Sequence, residues 1–156
     1  KREDVVYIAT SRIYDDEMNE RVLLHRKSRP EIWRTYEGNY NLGEAVGVEK
    51  NYLLDCITVL TSNIMFDLTE DVEYIDYNLQ YKVEEMVIKE IFGLIEKKKK
   101  KGFDLVLVTN EVGDSIVPEH HISRVFRDIQ GRVNQKIAKY ADQVYLVCCG
   151  IPVKIK

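Results

Sequence analysis

The run Phe103–Asp104–Leu105–Val106–Leu107–Val108 is the strongest strand signal in the sequence, and it passes directly into the polar cluster Thr109–Asn110–Glu111–Val112–Gly113. A short apolar, β-branched run closed by polar residues is the pattern of a buried parallel strand delivering side chains to its C-terminal edge. The pattern recurs. Val5–Ala9 runs into Thr10–Ser11, Tyr52–Leu54 into Asp55–Cys56, and Gln143–Cys148 reads as another buried strand. Ile32–Thr35 is a candidate second strand that brings Glu37 to the same edge. Helical periodicity separates these runs. Ile57–Leu68 is apolar on several faces, so it is expected to be buried all round, by the core or by a partner subunit. Tyr77–Lys101 carries Val83, Val87, Ile91 and Leu94 on one face, with Gly102 as its stop. Pro118 is expected to open a last helix reaching about Tyr140, with Ile122, Phe126, Ile129, Val133, Ile137 and Tyr140 inward. Strands alternating with helices predict one α/β domain over residues 1–156 with a mostly parallel sheet, and open sheets of this kind take ligands at the carboxyl ends of their strands. Gly150–Pro152 then turns the chain into Val153–Lys156, whose alternation fits an antiparallel C-terminal edge strand.

The stretch from Thr10 to Thr35 has its own chemistry. Asp15, Asp16 and Glu17 open a helix, and Arg26, Lys27, Arg29 and Pro30 close it, which suits the helix dipole. Glu17, Arg21 and His25 are spaced i, i+4, i+8 and share a face. His25 thus falls in the last turn among Arg21, Arg26, Lys27 and Arg29. Such a cluster repels a metal cation and favours polyphosphate, so His25 is read as a phosphate-handling residue. Thr10 and Ser11 are open to two readings, helix capping or nucleotide contact. Asp55, at the end of an apolar strand, fits the carboxylate that holds Mg²⁺ on a bound nucleotide, directly or through water. His120 and His121 are adjacent, about 100° apart on a helix, and read as surface residues. The lysines at 97–101 read as a solvated final turn.

Asp15–Asp16–Glu17–Met18, His25, Arg29–Pro30 and Trp33–Arg34–Thr35 resemble the bifunctional adenosylcobinamide kinase/adenosylcobinamide-phosphate guanylyltransferases of cobalamin assembly. The likeness resumes at Thr109–Gly113, Ile116–Pro118, Phe126–Asp128, Gly131–Gln135 and Gly150–Lys156. The resemblance implies a P-loop NTPase-like (RecA-type) three-layer fold. It also implies phosphorylation of adenosylcobinamide by ATP or GTP, then transfer of GMP from GTP to adenosylcobinamide phosphate through a guanylyl group on His25. Thr10, Ser11, Arg12, Lys27, Ser28, Arg29, Pro30, Glu37 and Asp55 are the nucleotide-binding residues it implies, with Mg²⁺ at Asp55. It further implies a cytoplasmic homotrimer with corrinoid clefts between subunits, and conformational or intersubunit roles for Arg127–Gln135. Members of that family begin with a strand, a GxxxxGK[ST] loop and a helix. No such motif occurs in this sequence, and residues carrying it are expected upstream of Lys1.

Charge and composition narrow the alternatives. A net charge of −3 argues against nucleic acid as partner, which counts against a RecA-like module acting on DNA or RNA. No apolar run reaches the length of a membrane span, and Lys1–Arg2–Glu3–Asp4 is no signal peptide. Three cysteines without a CxxC spacing read as buried, reduced thiols. A nucleotide-binding subunit without chemistry, or one limited to guanylyl transfer, is the remaining rival.

Overall fold

The computed structural model describes residues 3–156; Lys1 and Arg2, the start of the polar N-terminal stretch, lie outside the described residues. The chain runs β1 (Val5–Ala9), α1 (Asp16–Lys27), β2 (Arg34–Glu37), a short 3-10 helix (Leu42–Ala45), β3 (Asn51–Asp55), α2 (Ile57–Thr69), α3 (Tyr77–Lys101), β4 (Asp104–Val108), α4 (His121–Tyr140), β5 (Tyr145–Cys148) and β6 (Ile151–Lys154). Four parallel strands make one sheet in the order β2-β1-β3-β4. β5 and β6 form a separate antiparallel pair.

Local chemistry accounts for the helix ends. Asp15 accepts the Met18 N–H at 2.7 Å and starts α1, and Asp76 accepts the Leu79 N–H at 2.8 Å and starts α3. α3 stops at Gly102, whose φ of 69° suits a residue without Cβ and whose N–H reaches the Lys98 carbonyl. The lysine run is solvated but not idle. Lys97 donates to the Gly43 carbonyl, Lys98 pairs with Asp142, and Lys101 donates to the Gly47 carbonyl.

The core lies on one side of the sheet. Val6, Ile8, Tyr52 and Leu54 join one cluster with buried residues of α2, α3 and α4. Each such side chain stabilises the fold by roughly 1.5–3 kcal/mol on burial. Glu84 of α3 is 1% exposed within this layer and is held by Arg132 and Lys136 of α4, both at 2.6 Å. Burial pushes its carboxyl up, and the two hydrogen bonds more than reverse that, leaving it below the ordinary range. On the other side of the sheet, Tyr7 lies under Arg29, and none of the twelve described residues of α1 is buried.

Several expectations change. The second strand begins at Arg34 rather than Ile32, since the Trp33 N–H bonds back to the Pro30 carbonyl and keeps the chain turning. α4 begins at His121, not Pro118, and it turns Val125 inward while Ile122 and Tyr140 face out. The Leu42–Ala45 turn has two fully buried residues, where sequence indicated only a weak helical turn. α2 buries its several apolar faces largely within its own chain, against α3 and α4. β5 was expected to be buried, yet all four of its residues are exposed, because it pairs only with β6 and not with the main sheet. Cys148 and Cys149 are exposed with it, and Cys56 is half-buried, so the expectation of three buried thiols fails. His121 is half-buried rather than superficial, stacked on Tyr74 with ring centroids 4.4 Å apart.

Candidate functional site

The register of the sheet places Glu37, Ala9, Asp55 and Val108 in one row across four strands. Thr10 follows immediately and is fully buried. Its hydroxyl donates to the Cys56 carbonyl at 2.8 Å and accepts the Cys56 N–H at 3.0 Å, tying the ends of β1 and β3 together. Of the two readings of Thr10 and Ser11, helix capping is excluded. Asp15 is the cap of α1, Thr10 is a sheet-end clamp, and Ser11 is half-buried beside it. Asn63 of α2, also buried, donates to the Thr10 carbonyl at 2.8 Å.

Arg12 turns toward α2. Both terminal guanidinium nitrogens donate to Asp67, at 2.5 and 2.7 Å, and Tyr40 donates to the same carboxylate at 2.7 Å. The Asp67 hydrogen bonds hold Arg12 well above its ordinary value, and Arg12 in turn lowers Asp67. Arg12 therefore acts as a brace between the post-β1 loop and α2, with its fork already occupied. Asn63 and Asp67 escaped sequence reasoning. The available signal was an amide and a carboxylate at i, i+4 on one face of a helix rich in apolar residues.

His25 is exposed in the last turn of α1. Ser28 caps that turn, donating its N–H to the Leu24 carbonyl and its hydroxyl to the His25 carbonyl at 2.8 Å. The cations around His25 diverge. Arg21 pairs with Glu17 at 2.6 Å along the helix, Arg26 pairs with Glu37 at the end of β2, and Lys27 is exposed. The Arg26–Glu37 pair anchors the histidine-bearing turn to the sheet's edge. Pro30 is exposed just beyond.

Arg29 goes a different way. Its guanidinium carbon lies 3.3 Å from the centroid of the Tyr7 ring, and its Nε and Nη1 are buried without a hydrogen-bond partner among the described residues. Buried unsatisfied donors cost about 1–3 kcal/mol each, so an acceptor placed here would recover that. Tyr7 donates to Asp55 Oδ2 at 2.6 Å. Burial, then the Asp55 carboxylate, hold the phenol above its ordinary value, so it remains a donor. Donors lacking an acceptor fit an anion. A half-buried carboxylate at a strand end fits Mg²⁺, which takes one or two protein carboxylates and completes its shell with water and phosphate oxygens. No group of three or more His, Cys, Asp or Glu that could hold a metal by protein ligands alone occurs among the described residues.

A concavity of about 460 Å³ lies between the segment after β4 and the outer face of α4, lined by Glu111, Gly113, Arg127, Arg132, Asn134 and Gln135 among others. Below it, buried Gln130 donates to Thr109 and Asn134, fixing the end of β4 to α4. No helix among the described residues is long and apolar enough to cross a membrane.

A four-stranded parallel sheet with Asp55 and buried Thr10 at its carboxyl edge is the arrangement in which α/β proteins take ligands, and the P-loop-like fold goes with the family that the chain matches. The sequence profile described as cobinamide kinase / cobinamide phosphate guanyltransferase matches residues 1–155, and the chain belongs to that family. It is 46% identical over 156 residues to the bifunctional adenosylcobalamin biosynthesis protein CobU of Escherichia coli (strain K12), spanning 97% of this chain and 86% of the relative. Identity to the protein of the same name from Salmonella typhimurium is 45% over 158 residues, with the same shares. The bifunctional adenosylcobalamin biosynthesis protein CobP of Pseudomonas aeruginosa is 31% identical over 156 residues, spanning 97% of this chain and 82% of the relative.

Proposed function

We propose that this protein is a cobalamin-biosynthesis enzyme that phosphorylates adenosylcobinamide with ATP or GTP and then transfers GMP from GTP to adenosylcobinamide phosphate. In the transfer half, an imidazole nitrogen of His25 attacks the α-phosphorus of GTP and pyrophosphate departs. A phosphate oxygen of adenosylcobinamide phosphate then attacks the same phosphorus. The P–N bond breaks, adenosylcobinamide-GDP forms, and the imidazole is regenerated. Neutral imidazole is nucleophilic near pH 7 and its phosphoramidate is labile enough to pass the nucleotide on.

The observation that carries this reading is an exposed histidine in a helix-terminal turn that Arg26 fastens to the sheet edge, in a chain of this family. Arg29, with two N–H donors lacking an acceptor, supports a role in holding phosphate oxygens. Asp55 would hold Mg²⁺, which when bound supplies charge neutralisation at the phosphates. Lys27 and Ser28 flank the histidine; Glu37 positions Arg26. We further propose a cytoplasmic homotrimer. An apolar groove of about 220 Å³ between α2 and α4, lined by Met65, Phe66, Ile122 and Phe126 among others, supports a contact between subunits. A stable monomer in sedimentation at micromolar concentration would contradict it.

Incubation with α-labelled GTP and Mg²⁺ is expected to leave acid-labile, alkali-stable label on His25. His25→Ala should abolish the label and the guanylyl transfer, whereas His120→Ala should retain both. Arg29→Ala should slow adduct formation by ~2–4 kcal/mol in barrier. Label persisting in His25→Ala overturns the assignment.

A further inference from the structure

Arg29 and Asp55 come from distant parts of the chain, one beyond α1 and one at the end of β3, and both meet a single side chain, Tyr7. Tyr7 is 4% exposed, at the centre of β1, with Thr35 and Leu53 as its partners on the two flanking strands. It cannot shift without disturbing three strands. A guanidinium stacked on a ring turns its N–H edge away from that ring. Here that edge carries Nε and Nη1, buried and without a partner among the described residues. On the other side of the phenol, the hydroxyl occupies Asp55 Oδ2 and fixes the carboxylate's orientation. One aromatic ring thus sets the direction of an unsatisfied cationic fork and of a strand-end carboxylate.

We propose that Tyr7 is a positioning residue that holds Arg29 and Asp55 as one unit for a nucleoside triphosphate and its divalent cation. The hydroxyl orients Asp55 toward the cation, and the ring face sets the plane in which Arg29 meets phosphate oxygens. The inference rests on the nucleotide reading above, and it separates the two functions of the side chain chemically. Tyr7→Phe keeps the platform and deletes the hydroxyl. Tyr7→Leu deletes both.

The test is equilibrium binding of a fluorescent ribose-labelled GTP analogue to the full chain, with and without MgCl₂. Tyr7→Phe should leave Mg²⁺-free binding unchanged and raise the Mg²⁺ concentration for half-saturation about tenfold, the scale for loss of a partner that orients a metal-holding carboxylate. Asp55→Asn should remove the same Mg²⁺-dependent increment, and Tyr7→Phe in that background should add nothing further. Tyr7→Leu should weaken binding without Mg²⁺ as much as Arg29→Ala does, with no additional loss in the double variant. A purely structural role would lower the unfolding midpoint and leave Mg²⁺ half-saturation where it was. Wild-type Mg²⁺ dependence in Tyr7→Phe overturns the proposal. Absence of any Mg²⁺ dependence in the wild-type chain overturns it together with the metal assignment of Asp55. The Tyr7→Phe effect without label on His25 supports Tyr7 while removing guanylyl transfer.

Discussion

β1 and β4 are built from similar material, Val-Val-Tyr-Ile-Ala and Asp-Leu-Val-Leu-Val, and both run parallel in the same sheet. Their environments differ sharply. Every residue of β1 is buried, whereas β4 alternates between half-buried and exposed, and Val106 is 56% exposed. The difference lies in partners rather than residues. β1 has β2 on one side and β3 on the other, while β4 pairs only with β3. β5 carries the same lesson further, with all four residues of Tyr-Leu-Val-Cys exposed in a two-stranded pair. Apolar composition therefore marks a strand, and the neighbours it acquires decide what it buries. The candidate site follows the same division. Thr10, Glu37, Asp55 and the Tyr7–Arg29 stack gather around the well-paired half, where the side chains are held from several directions.

The contrast can be broken most directly by stability. Ile8→Ala, at a position with no exposure, should cost ~2–5 kcal/mol. Val106→Ala should cost less than ~0.5 kcal/mol, as surface changes usually do. Urea midpoints at constant slope measure both, and equal losses would show that β4 is packed as tightly as β1. A second comparison uses the register pair Asp55 and Val108. Asp55→Asn should weaken Mg²⁺-dependent nucleotide turnover at least tenfold while leaving the fold intact, and Val108→Thr should leave turnover unchanged. Unchanged turnover in Asp55→Asn would reduce that carboxylate to a strand-end residue.

The smallest expected effect is a pH dependence at the entrance to β2. Arg34 donates to Glu49 at 2.5 Å, and chiefly through that hydrogen bond it holds the Glu49 carboxyl at about 2, below its ordinary 4.5. A depressed folded-state value means stability that is fully present above pH ~4.5 and drains away as pH falls toward ~2. Glu49→Gln should flatten that part of the acid profile of the urea midpoint. An unchanged profile would show that the pair, half-exposed at Arg34, is screened to nothing.

Legibility in the sequence tracked the range of the interaction. The limits of α3 were readable to the residue because Asp76 and Gly102 act on their own turns. α1 was legible less sharply: the basic last turn and Pro30 placed His25 in its final turn, but the cap is Asp15 rather than Thr10 or Ser11. Asp55 was readable as an acid ending an apolar run. Arg12 was not readable as a brace, since its partner Asp67 lies 55 residues away. Nor was Thr10 as a clamp on Cys56, 46 residues on, or Tyr7 as the partner of Asp55, 48 residues on. Ile122 was placed inward because periodicity gives the arc of a helix and not its rotation against the sheet; α4 settled with Val125 inward instead.

By itself the sequence determined the alternation of strands and helices, the stop of α3 at Gly102 and the place of His25 in the last turn of α1, because those depend on interactions within a turn or two of the chain. Tertiary structure alone decided that β1 would be buried and β4 and β5 would not, that Arg12 would serve α2, and that Arg29 and Asp55 would share Tyr7. Each of those outcomes requires segments roughly fifty residues apart, or strands on both flanks, to meet in register, and loop closure over that distance leaves no local mark in the residues themselves.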